Sequence, residues 1–246
     1  MKTYVIIPTY NEAENIEPLL REIQQLNLPD LTAVVVDDNS PDGTGEIADR
    51  LTKEFPGLKV IHRYKDRGRG SAGIEGFKFA LKEGADYIVE MDADFSHQPK
   101  YIPNLLKHII NYDIVLGSRF VAGGQDINRG WTRKIVTVFA QIYIQQMLGI
   151  KVKDITSGYR CFRRKVLEEI NLDQLISTGP SIVTELLYKS TLKGFKIYET
   201  PIVFEDRRQG ETKLNLAILL KTLYMVYKFK MIYPHTNNIG VGIDKK

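Results

Sequence analysis

The chain has 246 residues, 43% of them hydrophobic, a net charge of +4 and one cysteine. That length and apolar content suit one large α/β domain with a buried core. A lone Cys161 excludes an intrachain disulfide and a cysteine-cluster metal site, and the modest positive charge suits an anionic ligand without implying nucleic acid.

Strand-like runs at residues 4–7, 32–36, 59–61, 87–91 and 113–116 alternate with amphipathic stretches at 13–26, 45–55, 71–83 and 100–109. This rhythm predicts an α/β fold, a mostly parallel sheet flanked by helices, with ligands bound beyond the carboxyl ends of the strands. One catalytic domain is expected over residues 1–213, then an apolar helix at 214–233 interrupted by lysines, then a loose tail at 234–246. No apolar run reaches bilayer-spanning length, and the first eight residues read as a strand rather than a secretory leader, so the cytosolic side is expected.

Every polar cluster falls at a strand end. The first strand runs into Pro8-Thr9-Tyr10-Asn11-Glu12, the second into Asp37-Asp38-Asn39-Ser40-Pro41-Asp42-Gly43-Thr44. A carboxylate at such an end can accept from a base edge or ribose hydroxyls, and Tyr10 can offer a stacking face. Asp38 is read as a ligand contact, while Asp42-Gly43-Thr44 is read as a tight turn into a helix cap. Arg67-Gly68-Arg69-Gly70-Ser71-Ala72-Gly73 formally satisfies G-x-G-x-x-G, yet it follows the third strand, whereas dinucleotide folds place that fingerprint after the first. Its glycines are read as a close backbone approach near the substrate, with Arg67 and Arg69 on a mobile loop. The fourth strand delivers Met91-Asp92-Ala93-Asp94-Phe95-Ser96. Two carboxylates one residue apart are hard oxygen ligands that ask for a divalent cation, although the same spacing also describes a solvated turn. His97 beside them reads equally as a turn residue or a ligand.

These segments, with Gly117-Ser118-Arg119, Thr156-Ser157-Gly158-Tyr159-Arg160 and Arg207-Arg208-Gln209-Gly210-Glu211-Thr212-Lys213, stand in an order that resembles the dolichyl-phosphate (polyprenyl-phosphate) mannosyltransferases of inverting glycosyltransferase family 2, over roughly residues 3–215. The resemblance implies a GT-A fold, GDP-mannose as donor, a lipid-linked phosphate as acceptor and Mg or Mn as cofactor. It implies that Pro8, Tyr10, Glu12, Val36 and Asp38 hold the guanosine end. Asp92, Ala93 and Asp94 match the motif for metal and donor diphosphate, with Ser96 where some relatives carry a metal-completing Gln. Arg119, Arg207 and Lys213 match positions that contact the nucleotide sugar or the acceptor phosphate. Arg69 departs from the pattern, since relatives often carry an apolar residue there.

A phosphate acceptor has a second pKa of about 6 and attacks as a dianion without a general base. It needs cations instead. Asp94, Arg119 and Arg133 are taken as the catalytic set, with Lys134 as a further candidate and Asp154 in an orienting or structural role. The helices at 131–148 and 214–233 are expected to lie in a membrane interface as readily as in an ordinary core. A small membrane-spanning partner subunit is plausible, as some relatives borrow such a helix. Three alternatives remain at this point: UDP-glucose as donor, an NAD-dependent oxidoreductase built on Gly68, Gly70 and Gly73, and a nucleotide-sugar-binding regulatory module.

Overall fold

The computed structural model describes residues 1–127, 130–205 and 216–233. In chain order it runs β1 (Thr3–Thr9), α1 (Ala13–Gln25), β2 (Leu31–Asp37), α2 (Thr44–Leu51), β3 (Leu58–His62), α3 (Arg69–Lys82) and β4 (Tyr87–Glu90). It continues with α4 (Ile102–Ile109), β5 (Ile114–Ser118), β6 (Gln125–Ile127), α5 (Trp131–Leu148), β7 (Arg160–Arg163) and α6 (Arg164–Ile170). Last come α7 (Ile182–Leu192), β8 (Ile197–Pro201), β9 (Val203–Glu205) and α8 (Leu216–Ile232).

Seven strands form one sheet in the order β3-β2-β1-β4-β7-β5-β8, parallel except for β7, which runs against both its neighbours. Its strands are apolar on both faces because helices cover both. Along β1 and β2, Tyr4, Ile6, Val34 and Val36 face the core under α3 and α5 to α8, while Val5, Ile7, Ala33 and Val35 face the core under α1, α2 and α4. At Gly76 helix α3 lies so close to β1 that an added Cβ would fall 2.3 Å from the Ile6 Cγ2 atom.

The order reverses between β1 and β4. The chain lays β2 and β3 on one side of β1 and then returns to place β4 on the other, and a crevice opens at such a switch point beyond the strand ends. Tyr10, Asp38 and Asp92 follow the three strands that border it.

Two features depart from the sequence reading. Residues 160–163 form the antiparallel β7, a strand of four residues with an arginine at each end, too short and too charged to announce itself. The apolar stretch at 200–204, which by sequence alone reads as one strand, is split at Ile202, whose N–H donates to the Ser118 carbonyl and whose carbonyl accepts from Gln125 N. There the chain leaves the main sheet, and β9 pairs with β6 instead.

Candidate active site

The loop after β4 is built from its own polar side chains. Ser96 donates to Asp94 Oδ1 from both its backbone N–H (3.1 Å) and its hydroxyl (2.6 Å), so the hydroxyl offered by sequence as a metal ligand also holds Asp94 in place. Phe95 takes a positive φ of 63° to let the turn close. His97 Nδ1 accepts the Asp92 backbone N–H at 3.0 Å, which places the ring proton on Nε2 when the imidazole is neutral. Burial pushes the His97 pKa below its ordinary value against the pull of Asp92 and Asp94, and the ring stacks on Tyr159 at 5.0 Å. His97 is thus the pin of this turn. Asp94 is buried, and the Asp92 side chain keeps 35% of its surface exposed at the crevice.

Arg69 is not on a mobile loop, as the sequence had led us to expect. It is the first residue of α3, and its Nε and Nη2 donate to Asp92 Oδ1 at 3.0 and 2.8 Å while Nη1 donates to Glu90 Oε1 at 3.1 Å. Burial works against the charged guanidinium, but Asp92 and then Glu90 outweigh it and raise its pKa. Glu90 is fully buried, and burial raises its pKa despite Arg69 and Arg160. Gly158 makes room for this arrangement, since a Cβ there would fall 2.6 Å from Arg69 Nη2. The glycines of the G-x-G-x-x-G stretch face their own chain. A Cβ at Gly68 or Gly70 would meet the Thr178 backbone, and one at Gly73 would lie 3.0 Å from Glu90 Oε1.

At the first two strand ends, Asp37 ties β1 to β2 by accepting from Thr9 Oγ1 at 3.2 Å and from the Ser40 backbone N–H at 2.9 Å. Asp42 accepts from Thr44 N and Oγ1 and from Ala13 N, so the 42–44 turn caps α1 as well as opening α2. Glu12 N donates to Thr44 Oγ1 at 2.9 Å. Tyr10 is exposed, and Pro8 beside it is half-buried. The Val36 side chain is in the core under Gly76, so any ligand contact at this position is made by backbone. Ala93 is buried between the two carboxylates. Asp38 accepts from Arg63 Nη1 on one oxygen and from Gly68 N, at 2.7 Å, on the other, which clamps the 63–68 loop to the end of β2.

Arg119 follows β5 and is buried. Its backbone N–H and Nε donate to Asp154 Oδ2 at 2.9 and 2.8 Å, and Nη2 donates to Asp154 Oδ1 and Thr156 Oγ1, both at 2.7 Å. The fully buried Asp154 raises the Arg119 pKa against burial. The Phe204 ring links this pair to the carboxylate loop, with the Arg119 guanidinium 4.9 Å above it and the His97 ring edge-on at 5.9 Å. The structure therefore brings Asp92, Asp94, Ser96 and Arg119 around His97. Arg133 lies in the first turn of α5 with its side chain outside the described residues, and Arg207 and Lys213 lie outside them altogether. Arg69, Glu90 and Thr156 were not picked out as site residues from sequence. The one signal for Arg69 was its departure from the apolar residue that the family resemblance implied there.

The donor set fits a divalent cation. Asp92 and Asp94 offer hard oxygens on a loop fixed by three side chains, as Mg or Mn prefers. Among the described residues no cluster of three His, Cys, Asp or Glu side chains could hold a metal, so a cation here would share its shell with substrate oxygens or water.

The family model described as glycosyl transferase family 2 matches residues 4–171. The chain is 41% identical over 219 residues to an undecaprenyl-phosphate mannosyltransferase of Micrococcus luteus, covering 89% of this chain and 90% of that one. It is 40% identical over 233 residues to a dolichol-phosphate mannosyltransferase of Pyrococcus furiosus, covering 93% of this chain and 63% of that one. Among solved structures, a mannosyltransferase from Pyrobaculum calidifontis in complex with GDP-Man and Mn2+ superposes with a TM-score of 0.62 at 21% identity, over 94% of this chain and 64% of that one, which shows a shared GT-A fold. With sheet, carboxylate loop and relatives in agreement, the chain belongs to glycosyl transferase family 2 and is a glycosyltransferase.

Proposed function

We propose that this enzyme moves mannose from GDP-mannose to a polyprenyl phosphate of the dolichyl kind, with inversion at the sugar carbon, at the cytosolic face of a membrane. The observation that carries this reading is the engagement of Asp154, the carboxylate beside Arg119, by that arginine on both oxygens. A hydroxyl acceptor would need such a carboxylate as a base, while a phosphate dianion needs a cation. The names of the mannosyltransferase relatives support the sugar and the lipid, and the complex with GDP-Man and Mn2+ supports the donor and a divalent ion.

In this reading an acceptor phosphate oxygen bonds to the sugar carbon as the bond to the donor diphosphate breaks, and GDP leaves. Asp92 and Asp94 would hold Mg or Mn, which when bound offsets charge on the departing diphosphate. Ser96 keeps Asp94 oriented, Arg119 and Arg133 would supply positive charge for the acceptor phosphate, and Arg207 and Lys213 would serve the nucleotide sugar. Tyr10 offers its exposed ring to the base, with Pro8, Glu12, Asp38, Ala93 and the Val36 backbone completing the donor site.

Membrane contact rests on two exposed apolar stripes. On α5, Trp131, Ile135, Val138, Phe139 and Ile142 stand at helical spacing, and on α8 Leu220, Tyr224, Tyr227 and Met231 do the same, with Trp131 73% and Phe139 69% exposed. No helix of the described residues is long and apolar enough to cross a membrane. Flotation of the purified chain with liposomes separates direct binding from dependence on a small membrane-spanning partner.

Titration calorimetry with GDP-mannose and UDP-glucose, each with Mn2+ and with chelator, tests the donor. Tight UDP-glucose binding without GDP-mannose binding sinks the mannose reading. Labelled product on polyprenyl phosphate, lost in Asp94→Ala, tests the transfer.

A further inference from the structure

Arg69 is a cation in the first turn of a helix, where the macrodipole disfavours it. Its side chain is nonetheless locked, with three donors on two carboxylates and a glycine opposite that leaves it space. Two of those donors take the same oxygen, Asp92 Oδ1, which must then be shared with, or withheld from, any metal at Asp92.

We propose that Arg69 is a positioning residue that holds Asp92 by one oxygen and keeps the site weak for a divalent cation until a donor diphosphate arrives. Metal binding and donor binding are thereby made to depend on each other. The inference rests on the reading that Asp92 and Asp94 hold the metal. Beside the guanidinium, the carboxylate pair presents one unit less negative charge than two bare carboxylates would. Like-charge repulsion between a guanidinium and a divalent cation held by the same carboxylate pair changes affinity roughly tenfold even at the dielectric constant of water. A diphosphate restores the missing negative charge, and by linkage the metal strengthens diphosphate binding by the same factor.

The test is Mn2+ binding to the full chain followed by electron paramagnetic resonance, with and without GDP. Wild type should bind Mn2+ weakly alone and far more tightly with GDP. Arg69→Gln and Arg69→Met, each removing the charge, should bind Mn2+ alone about tenfold more tightly and gain correspondingly less from GDP, whereas Arg69→Lys should keep the wild-type dependence. Unchanged or weaker metal binding in both neutral variants overturns the inference. So does failure of both to fold, which would assign Arg69 a structural role only. If Mn2+ binding to wild type with GDP is indifferent to Asp94→Ala, the metal reading itself fails, an outcome distinct from the first two.

Discussion

Replacing Asp154 by alanine removes one carboxylate and strands a buried guanidinium. Asp154 is fully buried, and it accepts the Arg119 backbone N–H, Nε and Nη2 at 2.7 to 2.9 Å. Taking one partner from a buried ion pair costs about 3–5 kcal/mol, because the charge left behind keeps its desolvation penalty and loses its compensation. Thr156 Oγ1 still accepts from Nη2 and the Phe120 and Phe204 rings still flank the cation, which sets the expectation at the lower end, about 3 kcal/mol. For a chain of this size that is a drop in melting temperature of roughly 6–12 °C. The double variant Asp154→Ala, Arg119→Met leaves neither charge buried and should recover more than half of the loss. A cycle of the four proteins by urea unfolding measures the coupling. An Asp154→Ala cost below about 1 kcal/mol, or two single costs that simply add, would refute the claim that Arg119 is held in place by Asp154.

Three further outcomes follow from named contacts. Gly76→Ala gains about 1 kcal/mol of helix propensity but drives a Cβ to 2.3 Å from Ile6 Cγ2, and overpacking of about 1–3 kcal/mol should win, leaving a net loss measurable by thermal unfolding. Ser96→Ala removes the 2.6 Å bond to Asp94 while the backbone donor stays, so the Mn2+ concentration for half-maximal activity should rise and turnover should fall, with stability reduced by about 1–2 kcal/mol. Lys189 is buried, its Nζ has no hydrogen-bond partner among the described residues, and burial lowers its pKa. Lys189→Met should therefore stabilise the fold by about 1 kcal/mol at neutral pH. Because the folded-state pKa of that lysine lies below its unfolded value of 10.5, wild type gains stability as pH rises from the folded-state value towards 10.5, and the advantage of the variant should shrink over that interval. An advantage that grows with pH would contradict this.

The sheet was legible because strands buried on both faces are continuous apolar runs, and the crevice was legible because polar clusters stand where those runs stop. The short, arginine-bounded β7 was not, since neither its length nor its composition marks a strand. The site was legible in its residue types and opaque in its pairings. Asp38, Asp92 and Arg119 each read along the chain as a charged group offered to a ligand. In the fold each is held by a partner remote in sequence: Asp38 by Arg63 and Gly68, Asp92 by Arg69, Arg119 by Asp154. Those separations, 25 and 30, 23, and 35 residues, are beyond what helical or strand periodicity encodes.

These pairings change the chemistry the site can do. A free Asp154 would be a candidate base and a free Arg119 a mobile phosphate clamp; bound to each other, they form an ion pair without net charge that fixes the guanidinium and takes the carboxylate out of proton transfer. In the proposed reaction, a carboxylate engaged in this way suits a nucleophile already ionised at neutral pH, as a phosphate monoester is. The same logic applies on the donor side. Asp92 braced by a guanidinium is preorganised but partly neutralised, so the full electrostatic grip on a leaving diphosphate forms only when the diphosphate itself supplies the charge that Arg69 has cancelled.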